Sequence, residues 1–174
     1  MVIDLFFINL MKNIKSDFLD SLFTNIIFEK SIYIWIILIL VLLCIKNTRK
    51  FGVILGISFL ITLIIGEGVL KNLIGRERPF ITYGYEIIGN KPNSFSFPSA
   101  SAALSFTMFG VFLFNKNRYN LVIGVFALIV AISRIYLGVH YFSDVLGGII
   151  LGFLSSYFVN KLIRKYMMIP KEIR

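Results

Sequence analysis

The sequence predicts an all-α, polytopic membrane bundle of about five transmembrane helices, with interfacial amphipathic helices at the N-terminus. Three observations predict it. Hydrophobic residues make up 57% of the 174-residue chain, Phe occurs 18 times, and the mean hydropathy is +0.85. A soluble domain of that length cannot hide so much apolar surface. Apolar runs of near-spanning length recur along the chain, and short basic segments separate them.

The elements follow in order. "MVIDLFFINLMKNIKSDFLDSLFTNIIFEK" lacks the basic start, continuous apolar core and small-residue cleavage site of a signal peptide. Phe6, Phe7, Leu10 and Met11 fall at helical spacing, as do Phe18, Leu19, Leu22 and Phe23, with polar residues between. That pattern predicts an amphipathic helix pair lying in the interface, not a sixth span. Residues 31–45, "SIYIWIILILVLLCI", form the first span, extended by "FTNIIFEK" before it. Further spans are expected at 52–74, 98–114, 121–139 and 144–163. Gly, Ser or Ala within each lets helices approach closely in lipid. There is no internal repeat. The chain reads as a single domain, 1–174, with an interfacial region at 1–30, a transmembrane core at 31–165 and a basic tail at 166–174.

The net charge is +9. Most of these charges flank spans, which argues against a nucleic-acid partner and for the bilayer. "KNTRK" at 46–50, "NKNR" at 115–118 and the tail from Lys161 are basic and so expected in the cytoplasm. The loops at about 75–97 and 134–143 then face outward. Cys44, alone within a span, is silent on redox compartment.

Ionisable residues at membrane depth are functional candidates, and here they cluster at the outward side. The second span ends "GEGVLKNLIGRERPF", where Glu67 and Lys71 are spaced to pair on one helical face. Arg76, Arg78 and the helix-stopping Pro79 follow. The fourth span ends "SRIYLGVHYFSD", with Arg134, the chain's sole histidine His140, and Asp144. On a helix, His140 and Asp144 would be neighbours, the carboxylate fixing the imidazole tautomer. Lys71, Arg78 and Arg134, with a Pro-Ser turn at a helix start, suit a phosphate. A histidine aimed at that phosphate can act as nucleophile. No carboxylate cluster suits a metal, so neither metal nor cofactor is expected.

Taken singly, each residue has a plainer reading. Lys71, Arg76 and Arg78 could anchor lipid headgroups, Glu67 could merely neutralise Lys71, and His140 could be interfacial. Ser99 and Ser101 could be N-caps of the third span. It is the joint spacing that favours a shared site.

These residues resemble the type-2 phosphatidic acid phosphatases, membrane lipid phosphatases that share their site with vanadium haloperoxidases. The first motif, Lys, six residues, Arg-Pro, stands complete as "KNLIGRERP". The third, Ser-Arg, five residues, His, three residues, Asp, stands complete as "SRIYLGVHYFSD". The second, Pro-Ser-Gly-His, is "PSAS" here, Pro98 to Ser101. The resemblance covers roughly residues 30–165. It implies that Lys71, Arg78 and Arg134 hold phosphoryl oxygens, assisted by Ser99 and the backbone N–H of Ala100. It implies that His140 attacks phosphorus to form phosphohistidine, with Asp144 orienting it, and that water then hydrolyses the intermediate.

The departure lies in the second motif. Ala100 stands at the Gly position and Ser101 at the position of the family's second histidine, the general acid. A serine hydroxyl is too weak an acid for that role. General acid catalysis is worth about 10²–10⁴-fold, and an alkoxide leaving group needs it most. A lipid monophosphate leaving from a diphosphate needs it least, because the second pKa of a phosphate monoester is about 6. The expected substrate is therefore a phosphorylated membrane lipid of the polyprenyl diphosphate kind, such as undecaprenyl diphosphate, as in the small bacterial diphosphatases of this family. The expected location is the bacterial cytoplasmic membrane, with the site facing outward. Two alternatives remain: a catalytically impaired homologue that binds phosphorylated lipid, and a lipid phosphotransferase.

Overall fold

The computed structural model describes residues 2–24, 30–85 and 87–167. The extension of the first span through residues 25–29 and the tail beyond 167 lie outside the described residues. The regular structure among the described residues is helical. Helices α1 (Val2–Asn13) and α2 (Asp17–Leu22) precede α3 (Lys30–Cys44) and α4 (Arg49–Leu63). A π-helical turn, Ile64–Leu70, carries α4 directly into α5 (Lys71–Ile74). Then come α6 (Pro79–Tyr83), α7 (Ala100–Phe114), α8 (Asn120–Tyr136) and α9 (Phe142–Met167).

Local chemistry sets the boundaries that matter for the site. Gly75 ends α5 at φ 61, a left-handed conformation that a Cβ would strain. Pro79 opens α6 at its first turn, where its missing N–H costs nothing. The fourth apolar run stops being helical at Tyr136, three residues short of the expected end. Arg49–Tyr83 and Phe142–Tyr166 are long and apolar enough to cross a membrane. Ser31–Cys44, Ala100–Phe114 and Asn120–Tyr136 are apolar but shorter.

Helix α7 is the buried centre, packed by α3, α4, α8 and α9. Small residues let α9 press onto it: a Cβ at Gly148 would lie 2.6 Å from the Ser99 carbonyl oxygen, and one at Gly152 would lie 2.4 Å from that of Ala103. Interhelical hydrogen bonds tie the bundle, Trp35 Nε1 donating to Ser105 Oγ at 3.0 Å and Thr62 Oγ1 meeting Thr107 Oγ1 at 2.8 Å. The outer faces carry Ile37, Leu60, Val125 and Phe158, all exposed, which suits lipid better than water.

The N-terminal pair docks one face on the bundle, burying Asp4 and Ile8 while Phe6, Leu10 and Phe18 stay exposed. Phe7 stacks on Phe142 at 4.0 Å between ring centroids, and the Tyr136 hydroxyl donates to Asp20 Oδ1 at 2.5 Å. The pair thus lies across the ends of α8 and α9 where the site is found. The basic links after α3 and α7 lie at the opposite end, where Arg164 of α9 donates to Asn115 Oδ1 at 2.7 Å.

Candidate active site

Three cations from three separate segments meet at one end of the bundle. Lys71, just past the π turn, is buried; its Nζ lies 2.5 Å from Glu67 Oε1 and donates to Ser94 Oγ at 3.0 Å. Arg78 stands in extended backbone before Pro79, and its guanidinium is held on every side. Nε donates to Ser94 O at 2.6 Å, and Nη2 to Ser94 Oγ and Phe95 O, both at 3.2 Å. Nη1 donates to Val139 O at 2.8 Å and faces His140 Nε2 at 3.2 Å. A guanidinium is not deprotonated in proteins, so Arg78 stays cationic at neutral pH. Arg134 is buried in the last turn of α8, its Nε donating to Ser133 Oγ at 3.2 Å.

His140 lies in the link between α8 and α9, not on a helix. The expected helical spacing with Asp144 is therefore corrected: the two meet across a loop–helix junction, because Gly138 at φ 72 breaks the helix before His140. A guanidinium can only donate, so Nε2 accepts from Arg78 and the ring proton sits on Nδ1. Nδ1 lies 3.6 Å from Asp144 Oδ2, an ion-pair separation too long for a hydrogen bond. Burial, joined by the Arg78 charge, outweighs Asp144 and pushes the His140 pKa down to about 4.

Asp144 is occupied elsewhere. Its Oδ2 accepts from the Tyr141 N–H at 2.9 Å and from the Ser96 hydroxyl, and its Oδ1 accepts from Arg76 Nη1 at 2.6 Å. Arg76, allowed for above as a headgroup anchor, turns inward. It lies over the Tyr141 ring at 3.9 Å and pairs with Asp4 Oδ2 at 2.9 Å. Asp4 also accepts from the Ser143 N–H at 2.9 Å. Burial pushes the Asp4 carboxyl up, but the Ser143 and Arg76 hydrogen bonds outweigh it, so its pKa lies below the ordinary value.

Lys71, Arg78, Arg134, His140, Ala100 and Ser101 line one cavity of about 210 Å³. Glu67 and Ser94 line it too. Ser99 is fully buried at the start of α7, its N–H donating to Asp144 O at 3.0 Å. It is the N-cap residue, yet its side chain makes no capping bond, and its Oγ has no partner among the described residues. A buried hydroxyl left so costs about 1–3 kcal/mol.

Sequence reasoning missed Ser94, Ser96 and Asp4, and underrated Arg76. The signals were present: alternating serines in "NSFSFPS", and a carboxylate at residue 4 on the same helical face as Phe7, Ile8 and Met11.

The PAP2 superfamily profile matches residues 50–168, and the chain belongs to that superfamily. It is 36% identical over 128 residues to an undecaprenyl-diphosphatase of Sulfolobus acidocaldarius, covering 72% of this chain and 61% of that protein. It is 40% identical over 104 residues to phosphatidylglycerophosphatase B of Bacillus subtilis, covering 53% of this chain and 48% of that one. The fold matches a solved transmembrane PAP2-type phosphatidylglycerolphosphate phosphatase from Bacillus subtilis. There the TM-score is 0.76 at 25% identity, over 94% of this chain and 85% of that chain. The chain therefore spans roughly half to three fifths of the length of these two curated relatives.

Proposed function

We propose that this chain is an integral-membrane lipid phosphatase that hydrolyses a polyprenyl diphosphate, with undecaprenyl diphosphate the best fit, through a phosphohistidine at His140. What carries this function is the convergence of three buried cations and the sole histidine on one small cavity. The Nε2 lone pair attacks the terminal phosphorus, the anhydride P–O bond breaks, and the lipid monophosphate leaves as an anion. Arg78 hands its Nη1 donor from Nε2 to a phosphoryl oxygen. Lys71 and Arg134 neutralise the remaining charge, and the Ser99 hydroxyl and Ala100 N–H gain an acceptor. Asp144, braced by Arg76 and Ser96, supports the imidazolium that develops. Water then releases phosphate.

The five apolar helices each cross the cytoplasmic membrane of a bacterial cell, with the site outward. The basic links at the opposite end support that orientation. The diphosphate preference follows from Ser101, which cannot protonate an alkoxide. The test is phosphate release by purified protein from a polyprenyl diphosphate beside phosphatidic acid. The diphosphate is hydrolysed faster, and His140→Ala abolishes release while eluting and inserting normally. Full activity in that variant removes the mechanism.

A further inference from the structure

We propose that Glu67 is the general base of this site, taking the proton from the water that hydrolyses the phosphohistidine. This rests on the phosphohistidine mechanism proposed above.

The second half of that reaction needs a proton acceptor in the cavity. Ser101, where the family carries its second histidine, is not one. Asp144 does not line the cavity, and its carboxylate is taken up by Arg76, Ser96 and the Tyr141 N–H. Among the described residues that line the cavity, Glu67 is the sole carboxylate and His140 the sole imidazole. His140 is the group being freed, so Glu67 is left.

Its placement fits the role. Glu67 sits in the π turn Ile64–Leu70, between Gly66 and Gly68. Short π turns inside α-helices recur at functional sites. Here Glu67 and Lys71 line the same cavity with a 2.5 Å contact. The Glu67 side chain is 35% exposed while that of Lys71 is 4% exposed, so of the pair it is the carboxylate that lies nearer the surface. When Lys71 turns to a phosphoryl oxygen, Glu67 loses part of its partner and is free to accept a proton.

The step balances. Water oxygen attacks phosphorus while Glu67 takes its proton. The P–N bond breaks, its electron pair returns to His140 Nε2, and inorganic phosphate forms. The proton on Glu67 then passes to phosphate or bulk water. An ion-paired carboxylate has no proton to give in the first step, so the leaving group must depart as an anion. A phosphoanhydride meets that demand and an alkyl phosphate does not. Glu67 therefore deepens the substrate assignment: it permits hydrolysis without restoring the acid that a monoester requires.

The plainer alternative is that Glu67 only neutralises Lys71. Rapid quench with a polyprenyl diphosphate labelled in its terminal phosphate separates the two. Glu67→Gln keeps the shape and an oxygen for Lys71 but cannot take the proton. Label should build on His140 at the wild-type rate, and its release should slow by about 10²–10⁴-fold. In Glu67→Ala, added formate should restore release with no change in labelling rate. Slowed labelling with normal release would assign Glu67 to phosphate binding and overturn the proposal. Wild-type release in both variants, or no rescue by formate, would overturn it too. If the wild-type protein never labels His140 while releasing phosphate, the phosphohistidine mechanism fails and this role falls with it.

Discussion

Gly148→Ala should disable the site without touching any residue that lines it. The added Cβ would sit 2.6 Å from the Ser99 carbonyl oxygen and 3.1 Å from the Ala103 nitrogen. Ordinary contact starts at 3.4 Å, so the first turns of α7 and α9 must part by about 0.8 Å. Both obstacles are backbone atoms, and no rotamer change relieves them. The displaced turn carries the Ser99 hydroxyl and the Ala100 N–H, whereas Asp144 travels with α9. A misplacement near 1 Å is worth about 10²-fold in rate. Overpacking should also cost about 1–3 kcal/mol of stability. The assay is phosphate release alongside thermal unfolding in detergent, with Gly56→Ala as the control. There the nearest atom is Ile39 Cγ2 at 3.5 Å, an ordinary contact, and the helix should gain about 0.5–1 kcal/mol. A Gly148→Ala enzyme with the wild-type rate would refute the claim that α7–α9 contact sets the phosphate cradle. An equal loss in Gly56→Ala would refute it as well.

Because His140 is the sole histidine, one isotope-labelled residue reports its titration by NMR. It should protonate near pH 4 in the folded protein, not at the ordinary 6.5, with the neutral ring carrying its proton on Nδ1. The unfolded chain takes up that proton near pH 6.5, so this contribution to stability is complete above 6.5 and lost as pH falls towards 4. A folded-state midpoint near 6.5 would contradict the burial. Ala100→Gly combined with Ser101→His should raise phosphatidic acid hydrolysis by about 10²–10⁴-fold and diphosphate hydrolysis far less. Equal gains on both would mean that leaving-group protonation does not distinguish the substrates. Asn93→Cys, in a Cys44→Ser background, should react with an impermeant thiol reagent on intact cells. Labelling only after lysis would invert the orientation.

The helical class, the order of the apolar helices and the two complete motifs were legible from the chain alone. They depend on local periodicity and on residue spacing, which a linear string carries. The Lys71–Glu67 pair was legible for the same reason, since both partners sit on one continuous helix. What only packing decided is which distant groups share a cavity. Arg76 reads as a surface charge, yet α1 and α9 bring Asp4 and Asp144 to it from 72 and 68 residues away. His140 and Asp144 read as helical neighbours, yet Gly138 turns the chain and leaves His140 before α9. Glu67 reads as a counter-ion, and its place in the cavity beside Ser101 follows from how α4 leans on α7. Local periodicity depends on a few adjacent dihedrals, whereas the partner of a buried charge depends on which helices meet and how closely. In this bundle, glycines at 148 and 152 allow α9 to come close enough to α7 to close the site.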